Sequence, residues 1–190
     1  MPKAVVPKCS TAPTSPIGSR SVKIAASLAI SVSFGLLPGG TPVAAATSPM
    51  ASCGAGDFRW TAVDGGIGMS PRLLTFTSVG RLWDCVGVPG ITGGTFTGVH
   101  EATSDCMHPA DGPITVDILW SNGDTSTLAG PWPVGMAQPT VGPLDIVRGI
   151  GQGGRVRVVA EYEMMTPDMV MGCMGPGVTT GPGRVSASMA

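Results

Sequence analysis

Between Ile114 and Leu128 (ITVDILWSNGDTSTL) apolar and polar side chains alternate on either side of one turn. Ile114, Val116, Ile118 and Trp120 alternate with Thr115, Asp117 and Ser121, the period of two expected of a half-buried strand. Asn122-Gly123 follows, and both residue types tolerate the positive φ of a tight hairpin turn. Thr125, Ser126 and Thr127 supply a polar, β-favouring return strand. A two-residue turn would oppose Trp120 to Thr125 and Ile118 to Thr127. A three-residue turn with Gly123 as the bulge would oppose Val116 to Leu128 and Ile118 to Ser126. The second register pairs the apolar ends and is preferred.

The same period marks the rest of the chain beyond residue 47. Phe58, Trp60 and Ala62 form a short strand that ends at Asp64-Gly65-Gly66. Pro71 introduces a longer one, Arg72 to Asp84. There Leu74, Phe76 and Leu82 have one parity and Val79 and Trp83 the other, which predicts a bulge at Gly80. Thr92 to Thr103 places Phe96, Gly98, His100 and Ala102 on one side. Cys106 to Pro113 reads as a loop. Pro131, Pro133 and Pro139 make Trp132 to Gln138 an edge segment at best. Leu144 to Ile150 is a short strand, and Arg155 to Glu163 points Val156, Val158, Ala160 and Tyr162 one way and Arg155, Arg157, Glu161 and Glu163 the other. Met164 to Gly177 reads as a loop, and Val178 to Ala187 as a last strand. No helical apolar period of useful length appears. Seven or eight short strands with Gly/Pro turns predict an all-β fold, a single antiparallel β-sandwich or small β-barrel.

The front of the chain is of a different kind. Lys3, Lys8, Arg20 and Lys23 make a basic stretch without acids, and Ile24 to Leu37 is an uncharged apolar run too short to cross a bilayer of about 30 Å as a helix. Pro38-Gly39-Gly40 breaks the run, and Ala44-Ala45-Ala46 offers small residues for signal peptidase. Residues 1–46 therefore read as a Sec-type signal peptide and residues 47–190 as a single secreted β domain. Arg20 has no neighbouring arginine, so a twin-arginine route has no support. Met50-Ala51-Ser52-Cys53 loosely resembles a lipobox, but Pro38 to Pro49 separates it from the apolar run.

Cleavage after Ala46 removes all three lysines, and the remaining seven arginines against twelve acids leave five net negative charges with histidines neutral. A mildly acidic domain lacks the basic face that nucleic acid or an anionic membrane requires. Cys53, Cys85, Cys106 and Cys173 remain, an even number that reads as two disulfides in an exported domain. Spacing alone allows three connectivities. If the first two strands form an antiparallel meander, Cys53 meets Cys85, which leaves Cys106 for Cys173.

The stretches L-W-D-C at Leu82 to Cys85, T-G-G-T-F-T-G at Thr92 to Gly98, and W-S-N-G-D-T-S at Trp120 to Ser126, with Cys106 and an exported front, resemble small exported four-cysteine β-proteins of actinomycetes. The resemblance covers roughly Cys53 to Leu128 and, loosely, Cys173. It implies a fold and an extracellular location and no activity.

Candidate chemistry is sparse. His100, Glu101, Asp105, Cys106 and His108 form the densest cluster, but Cys106 has a disulfide role, and His100 and Glu101 point to opposite faces of a strand. No metal site, cofactor or catalytic residue is assigned, and no G-x-S-x-G elbow occurs. The unusual feature is methionine: Met164, Met165, Met169, Met171 and Met174 crowd around Cys173. They suit gap-filling in a core, an adaptable apolar contact surface, or Cu(I), a soft ion. Met169, Met171 and Met174 are also read as an interaction loop pinned by Cys173, as in inhibitors of extracellular serine proteases. The expected function is thus a non-catalytic binding or cell-envelope interaction module, secreted or associated with the cell wall, with an extracellular protein or a cell-envelope component as partner. The leader reading predicts that secreted protein begins at Thr47. N-terminal sequencing checks it, and a diacylglyceryl mass on Cys53 would instead make the lipobox the true signal.

Overall fold

The computed structural model describes residues 51–190, and the leader read over residues 1–46 lies outside them. The described residues form eight strands and one short helix: β1 (Ser52–Ala62), β2 (Arg72–Val86), β3 (Gly94–Ser104), β4 (Pro113–Trp120), β5 (Thr125–Pro131), β6 (Thr140–Gly149), β7 (Arg155–Tyr162), α1 (Pro167–Cys173) and β8 (Thr180–Met189). Each strand pairs antiparallel with the next, and β8 pairs with β1, so the sheet is a closed up-and-down barrel. Of the two architectures the pattern allows, the chain takes the barrel.

Alternation decides which side faces in. Phe58 and Trp60 of β1, Leu74, Phe76 and Leu82 of β2, Leu144 and Ile146 of β6, and Val156 and Val158 of β7 are buried in one core. Their neighbours in sequence, such as Arg59, Glu101, Asp117, Asp145, Arg155 and Glu161, are exposed on the outer surface. The same outer faces also carry exposed Leu73, Val79, Val99, Leu119 and Val147, so the outside of the barrel mixes charged and apolar residues. No helix among the described residues is long and apolar enough to cross a membrane.

The central hairpin takes the preferred register, with Val116 opposite Leu128 and Ile118 opposite Ser126. Trp120 donates its backbone N–H to Asp124 O at 2.8 Å, and the three residues between them make the loop. Gly123 has φ of 90°, a conformation open to glycine and costly for a β-branched residue. Trp120 is half-buried and donates its indole N–H to Ser126 Oγ at 2.9 Å.

Three expectations change. β2 has no bulge at Gly80, because both its neighbours stay in continuous register there, with Phe58 and Phe96 opposite it. Gly80 belongs to the inward parity of Leu74, Phe76 and Leu82, and its missing side chain is the space that the Phe96 ring fills. Val79 and Trp83 simply face out, at 65% and 39% exposure. Second, Trp132 is core, at 2% exposure, and donates its indole N–H to Tyr162 Oη at 2.9 Å. Pro131 and Pro133 take the exposed positions on either side of it. Third, part of the segment read as a loop after β7 is the helix α1. Thr166 caps it by accepting the Met169 N–H at 3.3 Å, Pro167 opens it and Asp168 lies in its first turn.

Both disulfides have the expected pairing. Cys53 and Cys85 are directly opposite one another on β1 and β2, and Cys106 of the β3–β4 loop joins Cys173 at the end of α1. Cys53 therefore has its sulfur committed inside the sheet.

Urea melts with the disulfides intact should separate the roles of two residues. Trp132→Ala should cost about 3–5 kcal/mol, the usual range for deleting a buried tryptophan. Gly123→Val should cost about 1–3 kcal/mol through backbone strain alone. A Trp132→Ala protein as stable as the parent would mean the indole is not part of the core.

Candidate functional site

The two ends of the barrel differ. At one, the β2–β3, β4–β5 and β6–β7 connections have seven, four and five residues. At the other, four longer connections (residues 63–71, 105–112, 132–139 and 163–179) rise above the strands. They are tied to one another. Ile67 bridges Val178, joining the first loop to the last, and Ala110 bridges Val134, joining the second to the third. Cys106 donates its N–H to Gly68 O at 2.9 Å, and the Cys106–Cys173 disulfide fixes α1 to the second loop. A mouth built this way has little conformational entropy left to lose on binding.

These loops border a cavity of about 300 Å³ above the ends of the strands, open to solvent on the side where Met69, Met107, Met165 and Met174 are exposed. Met69, Met107 and Met136 enter its wall from the first three loops, and Met164, Met165, Met169 and Met174 from the fourth. Seven of the nine methionines among the described residues thus meet at one place. Trp60, Phe76, Ile114, Val134 and Val178 make up much of the remaining wall. Thioether side chains are unbranched and polarisable, and they adapt their shape to what they contact.

Few polar groups reach this space. His100 is 5% exposed, and its Nε2–H donates to Gly112 O at 3.2 Å, which leaves Nδ1 unprotonated in the neutral ring. Burial holds its pKa below the ordinary histidine value, against the opposing pull of the Gly112 carbonyl and Asp111. Asp105 is 5% exposed, and its Oδ1 accepts the N–H groups of Met107 at 2.6 Å and His108 at 2.8 Å. Burial pushes the Asp105 pKa up, but those two N–H groups and the His108 ring together outweigh it and hold the carboxyl below its usual range. Asp105 shapes the second loop. Burial raises the Tyr162 phenol to about 12, with Trp132 opposing, so it stays neutral in use. Trp60 differs from all of these: its indole N–H is buried without a hydrogen-bond partner.

The residues singled out in the sequence separate accordingly. Met169 and Met174 line the cavity, Met174 at its solvent-facing rim with 70% exposure, while Met171, 65% exposed, lies outside it. The three do not form an extended, substrate-like loop, because the helix α1 contains two of them and ends just before Met174. His100, Asp105 and Cys106 reach the cavity, Glu101 faces outward, and His108 pairs with Asp105 at 3.1 Å with its ring in solvent. No group of three or more His, Cys, Asp or Glu among the described residues is placed to hold a metal ion. Reading residue by residue missed Met69, Met107 and Met136, which are distant in sequence and meet only through the barrel. The Thr166-Pro167-Asp168 cap was a legible signal for α1.

His100 gives the site a pH signature. Its native pKa lies below the unfolded value of about 6.5, so below that pH the unfolded chain binds a proton that the native state refuses. Stability then falls as pH drops from about 6.5 towards the native pKa and levels off beneath it. The urea midpoint should decline between pH 7 and 5, and His100→Gln should flatten that decline. A parent protein insensitive to pH across this window would show that the imidazole charges freely in the fold. No protein-family model and no curated protein matches this chain, so its function rests on the chemistry of the cavity itself.

Proposed function

We propose that the protein is an exported, non-catalytic binding protein that takes a small apolar molecule into the methionine-lined mouth of its barrel. The observation that carries this reading is the convergence of seven methionines from four mutually tied loops on one cavity of about 300 Å³. That volume is at the lower end of small-molecule sites, which combine an apolar wall with a few placed polar groups. Eight-stranded barrels either fill their interior with side chains or hold one small ligand. The two disulfides suit an oxidising, extracellular setting. The outer surface carries the Arg81–Asp57 and Arg155–Asp145 ion pairs. Association with the cell wall would be through material delivered or captured there.

A second reading has support from the same convergence: several thioethers at one place suit Cu(I). The two are separable. N-phenyl-1-naphthylamine should brighten on entering the mouth, saturably and with one site per chain. Met164→Glu, which sets a carboxylate against the wall, should weaken that binding by about tenfold or more, since an unpaired buried charge is costly. Retention of one Cu(I) per chain in ascorbate, with no uptake of the dye, would replace the apolar-ligand reading with the copper one.

A further inference from the structure

Two further apolar spaces lie inside the barrel below the mouth. A second apolar space of about 70 Å³ lies at the waist of the barrel, and a third of about 150 Å³ lies at the end that carries the short turns. Ser78, Ile114 and Tyr162 line both the first and the second space. Leu82, Ile118, Leu128 and Ala187 line both the second and the third. The three spaces are therefore stacked along the barrel with shared walls. The waist space persists among Phe58, Phe96, Trp132 and Tyr162 because other inward positions there hold small residues, Ser78, Gly98 and Ala160. Packing does not demand the glycine: a Cβ at Gly98 would lie 3.6 Å from Ser78 Cβ and Val116 Cγ2, an ordinary contact. A barrel needing only a filled core would have larger side chains at these positions.

The walls also limit the chemistry. No lysine or arginine lines any of the three spaces, and the carboxylate at the mouth, Asp105, is already satisfied by N–H groups and His108. A buried anion would meet no lysine or arginine, and the one base on the walls, His100, is disfavoured as a cation by its burial. One fully buried donor on these walls is unused. The Trp60 indole N–H, on a residue 6% exposed, has no partner, and it shares a small space beside Gly181 with the Met169 terminal methyl, a group that can swing aside. Native proteins rarely leave such a donor unpaired, because that forfeits its hydrogen bond to water.

We propose that the ligand is elongated and uncharged: one aliphatic chain bearing a single hydrogen-bond acceptor, such as an ester or ketone. The chain passes the waist towards Trp120, and the acceptor takes the Trp60 N–H. This deepens the reading of the mouth as an apolar-ligand site and rests on it.

Displacement of bound N-phenyl-1-naphthylamine by methyl esters of eight to twelve carbons tests it on the oxidised protein. Affinity should rise by about fourfold per added methylene, the value of burying each one. Gly98→Leu, which plugs the waist, should abolish that gain while dye still binds at the mouth. Trp60→Phe should weaken the esters by roughly fivefold, one hydrogen bond's worth, and leave n-alkanes unchanged. In the unmodified protein, an ester brominated at the far end of its chain should quench Trp120, and Trp120→Phe should remove that component. Free carboxylic acids that outcompete their esters, or a chain-length gain that survives Gly98→Leu with no quenching of Trp120, would overturn the proposal and leave the mouth reading intact. Absence of dye binding to the parent protein would overturn both.

Discussion

The pairing of β8 with β1 is the constraint on which the structure depends. An eight-stranded meander without it would have two long edges, each with a row of unpaired backbone groups open to other chains. Closure satisfies those groups and at the same time creates an inside, because inward-facing side chains of all eight strands must then share one lumen. Seven residue pairs join the two strands, from Ser52 opposite Ser188 to Thr61 opposite Thr180, with a register shift between Cys53 and Asp57. A shift of this kind bends and twists a strand locally while the pairing resumes beyond it. Glycines at 181 and 183 on β8 face the Trp60 and Phe58 rings of β1 so closely that a side chain there has no room. The seam is therefore a place where bulky aromatic residues on one strand are met by bare backbone on the other.

Much of this was legible from local pattern. The hairpin around Gly123 has its register written in Val116, Ile118 and Leu128, since slipping by one residue would turn the apolar face outward. The disulfides followed from assuming that neighbouring strands pair. What local pattern could not show was closure itself, because six of the ten residues of β8 are Gly, Pro, Ser or Ala and it carries little apolar alternation. Gly80 misled for a related reason: a glycine at an inward position looks like a break in the pattern when it is a recess for Phe96. Trp132 was hidden by its flanking prolines, which fit well at the exposed positions beside a buried indole.

The candidate site was less legible than the fold. Five methionines near Cys173 drew attention by crowding, but their meaning depends on Met69, Met107 and Met136, which arrive from loops far away in sequence. The disulfide between Cys106 and Cys173 is what makes the assembly a wall rather than four separate loops, since α1, with only seven residues, is too short to be stable alone. The polar residues are spent on structure. Asp105 organises a turn, Ser104 donates to the Pro109 carbonyl, and Trp132 and Tyr162 hold each other inside the barrel. The apolar character of the lumen is thus a product of where polar groups were already committed.

The up-and-down connectivity also orders assembly in time. Seven of the eight strand pairings join neighbours in sequence and can form as each strand emerges, while the eighth joins residues more than a hundred positions apart. Until the last strand arrives, the growing sheet exposes its apolar side and both its edges, and pairing across so long a separation is slow. Cys53 and Cys85 lie on the first hairpin and can be oxidised early, which staples one of the two strands flanking the eventual seam to its neighbour. Cys106 finds Cys173 only after seven strands have been made, so the bond that secures the mouth forms close to the moment of closure.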